Sequence, residues 1–202
     1  YYALGFHPYF LSNFNFLHLN TLRELSGNSN CIAIGECGID ATKPNIDMQI
    51  EILIEQIKIA NYRKLPLIVH HRQSHHHIFS AFKQCKPDFG GVLHAFSGSK
   101  QDAAKYLDNG FKLGIGGTVT YERAKKTLNV LKSLSLEDIV LETDSPDMPL
   151  SGYQGIRNEP KLLPLVAQRV ADIMEVDVLA VAEATCKNVE SLFKLPTSTT
   201  KS

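Results

Sequence analysis

The sequence lacks an excess of charge of either sign, and it lacks paired cysteines. Its 202 residues include 21 Lys and Arg and 21 Asp and Glu, so the formal net charge is zero. No global basic field is therefore available to hold duplex nucleic acid or an anionic membrane, and any recognition of phosphate must be local. The four cysteines, Cys31, Cys37, Cys85 and Cys186, are widely spaced without a Cys-x-x-Cys pair. This spacing favours a reducing compartment over a disulfide framework or a structural zinc site.

Long apolar runs are missing as well. No segment approaches the roughly 20 apolar residues of a membrane helix and no signal peptide is present, so we expect a cytoplasmic protein without membrane contact. The chain starts at Tyr1 within an apolar segment, and we expect a further N-terminal portion to precede it. With 44% apolar and 21% charged residues, the composition predicts one domain over residues 1–195 and a disordered polar tail over residues 196–202.

Apolar segments typical of buried strands alternate with helical segments along the chain. The strands are expected at residues 1–6, 31–36, 67–69, 91–93, 111–116 and 139–141. The clearest helix is expected over residues 47–64, where apolar side chains recur at helical spacing. This alternation predicts parallel βαβ units and an α/β fold of the TIM (β/α)8 barrel type. A closed barrel has eight strands and about 250 residues, so about the first two βα units are expected to be missing from this sequence.

Ionisable side chains follow four of the expected strands at the point where each strand ends. They are Glu36, His70, His94 and Asp144. In barrels of this type the catalytic groups collect at the carboxyl ends of the strands. Either histidine alone would be read as a hydrogen-bonded residue that caps a strand. The four together predict a divalent-metal site, because imidazole suits zinc, manganese or iron and carboxylate oxygen suits magnesium or manganese.

Four further residues are candidates for contact with a substrate. His7 ends the first expected strand, and Arg72 lies just beyond His70, where a guanidinium can clamp a phosphate; a structural salt bridge is the alternative for Arg72. Arg157 and Glu159 precede Pro160, which suits the first turn of a helix. The segment is either a capped helix start or a rim loop that supplies Arg157 or Glu159 to the substrate.

The more conspicuous histidines have ordinary interpretations. Residues 75–77 are three consecutive histidines at the entry to a helix, where solvated side chains are expected and a substrate contact is the alternative. His18 is expected at the surface. Cys37 adjoins Glu36 and is expected to be a small buried thiol, with exposure to the site as the alternative.

Six ordered motifs carry a family resemblance. They are GFHP at residues 5–8, GECGID at 35–40, PLIVHHR at 66–72, HAFSG at 94–98, TDSP at 143–146 and RNEP at 157–160. In this order the motifs resemble those of the TatD family of metal-dependent hydrolases, and the resemblance spans nearly the whole chain. It implies an amidohydrolase-like barrel with two divalent metal ions (Mg, Mn or Zn) and, as in studied members, deoxyribonuclease activity.

The resemblance also implies roles for individual residues. Glu36 would bridge two metal ions, His70 and His94 would ligate one of them, and Asp144 would ligate a metal and act as the base for the attacking water. The first strand of the family usually supplies a His-x-His pair for the other ion, and this sequence contains no such strand.

The expected function is therefore metal-dependent hydrolysis of phosphodiester bonds in DNA, with Asp144 as the base. Because each phosphate contact needs its own cation, the zero net charge favours a nucleic-acid end or a small phosphodiester over a long duplex. A monomer without a protein partner is expected. Two alternatives stay open: hydrolysis of a small amide, ester or lactone, and an inactive metal-binding fragment.

Overall fold

The computed structural model describes residues 1–196, in which strands and helices alternate. Residues 197–202 of the expected disordered tail lie outside the described residues. The strands are β1 (Tyr2–Leu4), β2 (Cys31–Asp40), β3 (Leu67–Arg72), β4 (Gly91–Leu93), β5 (Phe111–Ile115) and β6 (Ile139–Leu141). The helices are α1 (His18–Leu25), α2 (Ile46–Arg63), α3 (His75–Gln84), α4 (Lys100–Asp108), α5 (Lys125–Leu131), α6 (Leu163–Met174) and α7 (Val178–Phe193).

The residues form two compact units. The first unit contains residues 1–94 and 109–111, and the second contains residues 95–108 and the described residues from 112 onward. The single domain expected over residues 1–195 stays a prediction. In the part of the chain that the structure covers, none of the helices has both the length and the apolar character that a membrane span requires.

The first unit is built on four parallel strands. Strand β2 pairs with β1 on one side and with β3 on the other, and β3 also pairs with β4. All three pairs are parallel, as the alternation of strands and helices predicts. The carboxyl ends of these strands consequently lie along the same edge of the sheet.

Helix α2 covers this sheet with a face that is partly polar. Leu53, Ile57 and Ala60 are buried as their helical spacing predicts, but Gln49 and Gln56 are buried as well. The Gln49 side-chain oxygen accepts a hydrogen bond from the backbone N–H at the end of β2 (2.8 Å), and that of Gln56 accepts one from the backbone N–H just beyond β1 (2.7 Å). Both glutamines therefore fix strand ends, because a buried amide needs partners and the strand ends offer them.

Several element boundaries differ from the expected ones. Strand β3 extends to Arg72 because it continues to pair with β2 to the end of that strand. Helix α3 begins at His75, since the carbonyl oxygen of Ser74 accepts the N–H groups of both His77 and Ile78. Thr120 lies inside a 3-10 turn (Gly117–Thr120), where its hydroxyl donates to the carbonyl of Gly117 (2.6 Å).

The second unit contains the parallel pair β5 and β6, packed with α5, α6 and α7. The pair is in register from Leu113 with Ile139 to Ile115 with Leu141. Strand β6 is buried at its first two residues and half-buried at Leu141, where the polar sequence of Glu142, Thr143 and Asp144 begins. The apolar strand therefore delivers its carboxylates to the carboxyl end, as the sequence predicts.

Candidate metal centre

Three side chains of the first unit converge at the carboxyl ends of β1, β2 and β3. They are His7, Glu36 and His70, and one ligand atom of each lies within 4.8 Å of the others. The Glu36 Oε1 atom lies 3.2 Å from Nδ1 of His70 and 3.6 Å from Nε2 of His7. Each side chain is half-buried. A carboxylate between two imidazoles is a ligand set that divalent metals use in proteins.

A bulge in β2 directs Glu36 into this cluster. Between Ile34 and Cys37 strand β2 advances by one residue more than the facing segment of β3, so that the ladder is interrupted around Glu36. Such bulges redirect one side chain without ending the strand. Gly35 permits the close approach, since a Cβ atom there would lie 2.7 Å from the Cβ and carbonyl oxygen of Ile68.

The surroundings of Glu36 keep its carboxylate ionised. Burial alone raises the pKa of this carboxyl, but hydrogen bonds from His7 and His70 and the charge of His94 outweigh burial and hold the pKa well below its usual range. A metal ion needs its ligands deprotonated, so Glu36 is ready to bind a cation at neutral pH.

His7 and His70 differ in which ring nitrogen can carry the proton and which can bind a metal. The Nδ1 atom of His7 accepts a hydrogen bond from the backbone N–H of Tyr9 (3.1 Å). A neutral imidazole has one acceptor nitrogen, so Nε2 of His7 carries the proton and points it toward Glu36. His7 in this orientation is a donor to the carboxylate, whereas a metal would require a lone pair on Nε2.

His70 presents the opposite arrangement, with Asp40 behind it. Nε2 of His70 and Oδ2 of Asp40 lie 3.9 Å apart, and within the described residues neither atom has a hydrogen-bond partner. In the hydrogen bond that lowers the pKa of Glu36 the proton is on Nδ1. A metal ion would require the other tautomer, with the proton on Nε2 facing Asp40 and the Nδ1 lone pair on the side of Glu36. At 3.9 Å the two atoms are too far apart for a hydrogen bond, and a small rotation of the His70 ring would form the carboxylate–histidine contact found behind metal ligands. Glu36 and His70 therefore fit a divalent ion.

Asp40 is the residue that the sequence interpretation missed. Its carboxylate is completely buried, and Oδ1 accepts hydrogen bonds from the Thr42 backbone N–H (2.7 Å) and hydroxyl (2.6 Å). Burial raises the pKa of Asp40, but the two bonds from Thr42, together with Tyr9 and His70, lower it below the usual value. The available signal was its place as the last residue of the GECGID motif that also contains Glu36.

His94 follows β4, and its backbone N–H donates to the carbonyl of Val69 (3.0 Å). Its ring is near enough for its charge to lower the pKa of Glu36, but it is outside the three-residue cluster. The ligand role of His94 stays a prediction.

Cations gather around Tyr9 at the rim of the cluster. The Arg72 Nη1 atom donates to the Tyr9 hydroxyl (2.6 Å) and lies 4.0 Å from Oδ2 of Asp40, while the Lys43 ammonium lies 4.3 Å from the centre of the Tyr9 ring. Arg72 is exposed. Arg72 can therefore contact Asp40 and Tyr9 through Nη1 and still bind a phosphate, because its guanidinium has further N–H groups.

The second unit holds the remaining predicted residues. Asp144 follows β6 with a φ of 55°, and Glu142 accepts a hydrogen bond from the backbone N–H of Ala95 (2.7 Å) through Oε1. Arg157 is exposed, and Glu159 is half-buried and pairs with the ammonium of Lys161 at 2.5 Å. The roles of Asp144, Arg157 and Glu159 stay predictions.

Parallel βα units that bring a carboxylate and an imidazole together on adjacent strands match the way barrel enzymes collect their catalytic groups, and this pair of ligands suits a divalent metal. Residues 1–194 match the family described as TatD related DNase, and the chain belongs to this family. The chain is 36% identical to the uncharacterized metal-dependent hydrolase YjjV of Escherichia coli K12, over 97% of this chain and 77% of YjjV. It is 32% identical to the uncharacterized metal-dependent hydrolase YabD of Bacillus subtilis 168, over 96% of this chain and 78% of YabD.

Solved structures agree with this assignment. The crystal structure of E. coli YjjV, a TatD homologue, matches with a TM-score of 0.91 at 36% identity, over 96% of this chain and 76% of that one. An uncharacterized amidohydrolase from Saccharomyces cerevisiae matches with a TM-score of 0.80 at 20% identity, over 95% and 80% of the two chains, which shows the fold alone. The predicted family and TIM-barrel fold class are confirmed, and the protein is a metal-dependent hydrolase.

Proposed function

We propose that the protein hydrolyses phosphodiester bonds, at a nucleic-acid end or in a small phosphodiester. The observation that carries the proposal is the Glu36–His70 pair together with the exposed guanidinium of Arg72, because His70 and Arg72 both lie within 4.0 Å of the Asp40 carboxylate. An anionic substrate needs a cation near the reacting bond, and a guanidinium matches two phosphate oxygens at once. The family description, TatD related DNase, supports the same substrate class.

Two divalent ions, of Mg, Mn or Zn, are proposed for the intact site, with Glu36, His70, His94 and Asp144 as ligands. A bound divalent ion lowers the pKa of water toward neutrality and polarises a phosphoryl oxygen. Glu36 supplies the negative charge, His70 supplies a nitrogen lone pair, and His7 donates a hydrogen bond to the ionised carboxylate. Asp144 is proposed to accept the proton of the attacking water, on the strength of its motif and its place after β6.

Substrate contacts are proposed for Arg72, Arg157 and Glu159. A substrate contact of His7 stays a prediction, and its ring lies 3.6 Å from Glu36 in the structure. Local cations must supply the affinity for phosphate because the net charge is zero. We therefore infer that the substrate presents one or a few phosphates to the site, and that binding has a shallow salt dependence.

A substrate panel tests this proposal on the Mn²⁺-loaded protein. The panel contains a single-stranded oligodeoxynucleotide, bis-p-nitrophenyl phosphate, p-nitrophenyl acetate, an N-acyl amide and a lactone. We expect the unaltered protein to hydrolyse the two phosphodiesters and the Asp144→Asn variant to hydrolyse neither. The matched control is Asp147→Asn, which removes an exposed carboxylate from the same loop and should retain activity. Turnover of the acetate, amide or lactone alone would contradict the proposal.

A further inference from the structure

We propose that Asn158 is a positioning residue that holds the loop bearing Asp144 in its active conformation. The inference rests on the proposed function, because Asp144 is assigned there as the proton acceptor. Asn158 lies in the RNEP motif between the two charged residues that the sequence singles out, and only 1% of it is exposed. A side chain so deeply buried and so polar must satisfy its hydrogen-bonding groups within the protein.

The amide of Asn158 reaches the loop on both sides of Asp144. Its Nδ2 group donates to the carbonyl oxygens of Thr143, Asp147 (2.8 Å) and Met148 (3.2 Å). The backbone N–H of Asn158 donates to the carbonyl of Pro146 (3.0 Å). Four carbonyl groups of the six residues from 143 to 148 are thus tied to one residue.

The loop has a conformation that requires such support. Asp144 and Met148 have φ angles of 55° and 49°, in the left-handed region that residues with a side chain seldom adopt. Within the loop, the N–H of Asp147 bonds to the carbonyl of Asp144 (2.8 Å). A loop with two left-handed residues would relax if the external bonds were removed, and the carboxylate of Asp144 would move with it.

An asparagine suits this position for a chemical reason. Its carboxamide has two N–H donors and one oxygen acceptor on a short side chain, and here the oxygen accepts the backbone N–H of Glu159 (2.9 Å). Aspartate has the same shape but no donor, and it would place a negative charge against the carbonyls of the loop. The substitution Asn158→Asp therefore removes the tether and changes the volume little.

The same unit contains a matched control. Asn188 of α7 also donates through Nδ2 to two backbone carbonyls, those of Leu136 (2.8 Å) and Ile139 (2.7 Å). These carbonyls lie at the amino-terminal end of β6, whereas Asp144 follows its carboxyl-terminal end. Asn188→Asp thus removes two amide–carbonyl bonds of the same kind at the other end of β6 without touching the Asp144 loop.

Three measurements on the Mn²⁺-loaded full chain test the proposal. They are kcat and KM on bis-p-nitrophenyl phosphate, amide hydrogen exchange over residues 143–148, and the melting temperature. For Asn158→Asp we expect faster exchange in this loop and a kcat lowered by about 100-fold, the scale of a misplacement of about 1 Å, with little change in KM. For Asn188→Asp we expect a lower melting temperature only. If Asn158→Asp does not fold, Asn158→Ser, which keeps one donor, is measured instead.

The outcomes separate the two proposals. If the unaltered protein hydrolyses no phosphodiester, the proposed function fails, and the comparison of loop exchange between the two Asp variants decides the role of Asn158. Unchanged exchange and unchanged kcat in Asn158→Asp would overturn the positioning role. Equal losses of kcat in the Asn158 and Asn188 variants would also overturn it, because the effect would then be general destabilisation.

Discussion

The Nδ1 atom of His70 lies 3.2 Å from Oε1 of Glu36, across two adjacent parallel strands. The contact exists because a bulge in β2 directs Glu36 toward the end of β3. An acceptor nitrogen and an ionised carboxylate at this separation repel one another unless a cation lies between them or a proton bridges them. Substitution of either Glu36 or His70 should therefore have a large effect on the affinity for a divalent cation.

We expect Glu36→Gln to reduce Mn²⁺ affinity strongly. The substitution keeps the shape of the side chain but removes the negative charge that an oxygen-preferring cation requires. Isothermal titration calorimetry on the metal-free protein measures the effect. Glu51→Gln, which alters an exposed glutamate in α2, is the control and should bind as the unaltered protein does. Equal affinity in both variants would remove Glu36 from the ligand set.

His7 should behave differently from His70. Because the N–H of Tyr9 occupies Nδ1 of His7, its ring donates to Glu36 and has no lone pair free on Nε2. We expect His7→Gln to keep a donor near the carboxylate and to weaken Mn²⁺ binding only slightly, whereas His70→Gln should abolish it. The same calorimetric titration compares the two. A loss as large in His7→Gln as in His70→Gln would make His7 a ligand and would require a rotated ring.

Polar residues at strand ends could be predicted from the sequence because an apolar run that stops at a charged residue is visible without tertiary information. Glu36, His70 and Asp144 are examples, although β2 continues past Glu36 to Asp40 and β3 continues past His70 to Arg72. The buried stripe of α2 through Leu53 and Ile57 is another. Hydrophobic periodicity reports only burial of apolar side chains.

The residues that escaped prediction are buried and polar. Gln56 bonds to backbone groups of a segment 50 positions away in the sequence, and periodicity gives no sign of such a bond. Asp40 belongs to the GECGID motif and Asn158 to the RNEP motif, but neither motif indicates a buried side chain bonded to distant groups. Side-chain bonds to backbone groups depend on which loops meet, so they become visible only in the folded chain.

Thiol chemistry tests the packing around the cluster. Cys37 is completely buried, and burial together with the charge of Glu36 raises the pKa of its thiol well above the usual value. The thiolate is the reactive form, so Cys37 should not react with a disulfide reagent at pH 8 until the protein unfolds. Cys186 is exposed on α7 and should react in the native protein.

Mass spectrometry of the labelled peptides locates the modified cysteines, and Cys186→Ser is the control that should remove the rapid phase. Rapid native labelling of Cys37 would show that its thiol faces the site. That result would favour the alternative in which Cys37 contacts the ligand cluster.

Asp40→Asn should change the tautomer of His70. The Asp40 carboxylate favours a proton on Nε2, in competition with Glu36, which favours a proton on Nδ1. The Nε2 form leaves a lone pair on the side of Glu36. In the variant, the amide can donate to Nε2 and favour a proton on Nδ1, so the lone pair would point away from the site. Mutation of such a partner typically costs about 10-fold to 100-fold in metal affinity. Nitrogen NMR of the metal-free protein reports the tautomer, and calorimetry reports the affinity.

Asp47→Asn is the matched control for this experiment, because it removes an exposed carboxylate from the first turn of α2 in the same unit. It should change neither the His70 tautomer nor the Mn²⁺ affinity. A lower affinity in Asp40→Asn with the Nε2 proton retained would mean that Asp40 acts by stabilising the fold around Thr42. A changed tautomer with unchanged affinity would instead show that His70 does not bind the metal through Nδ1.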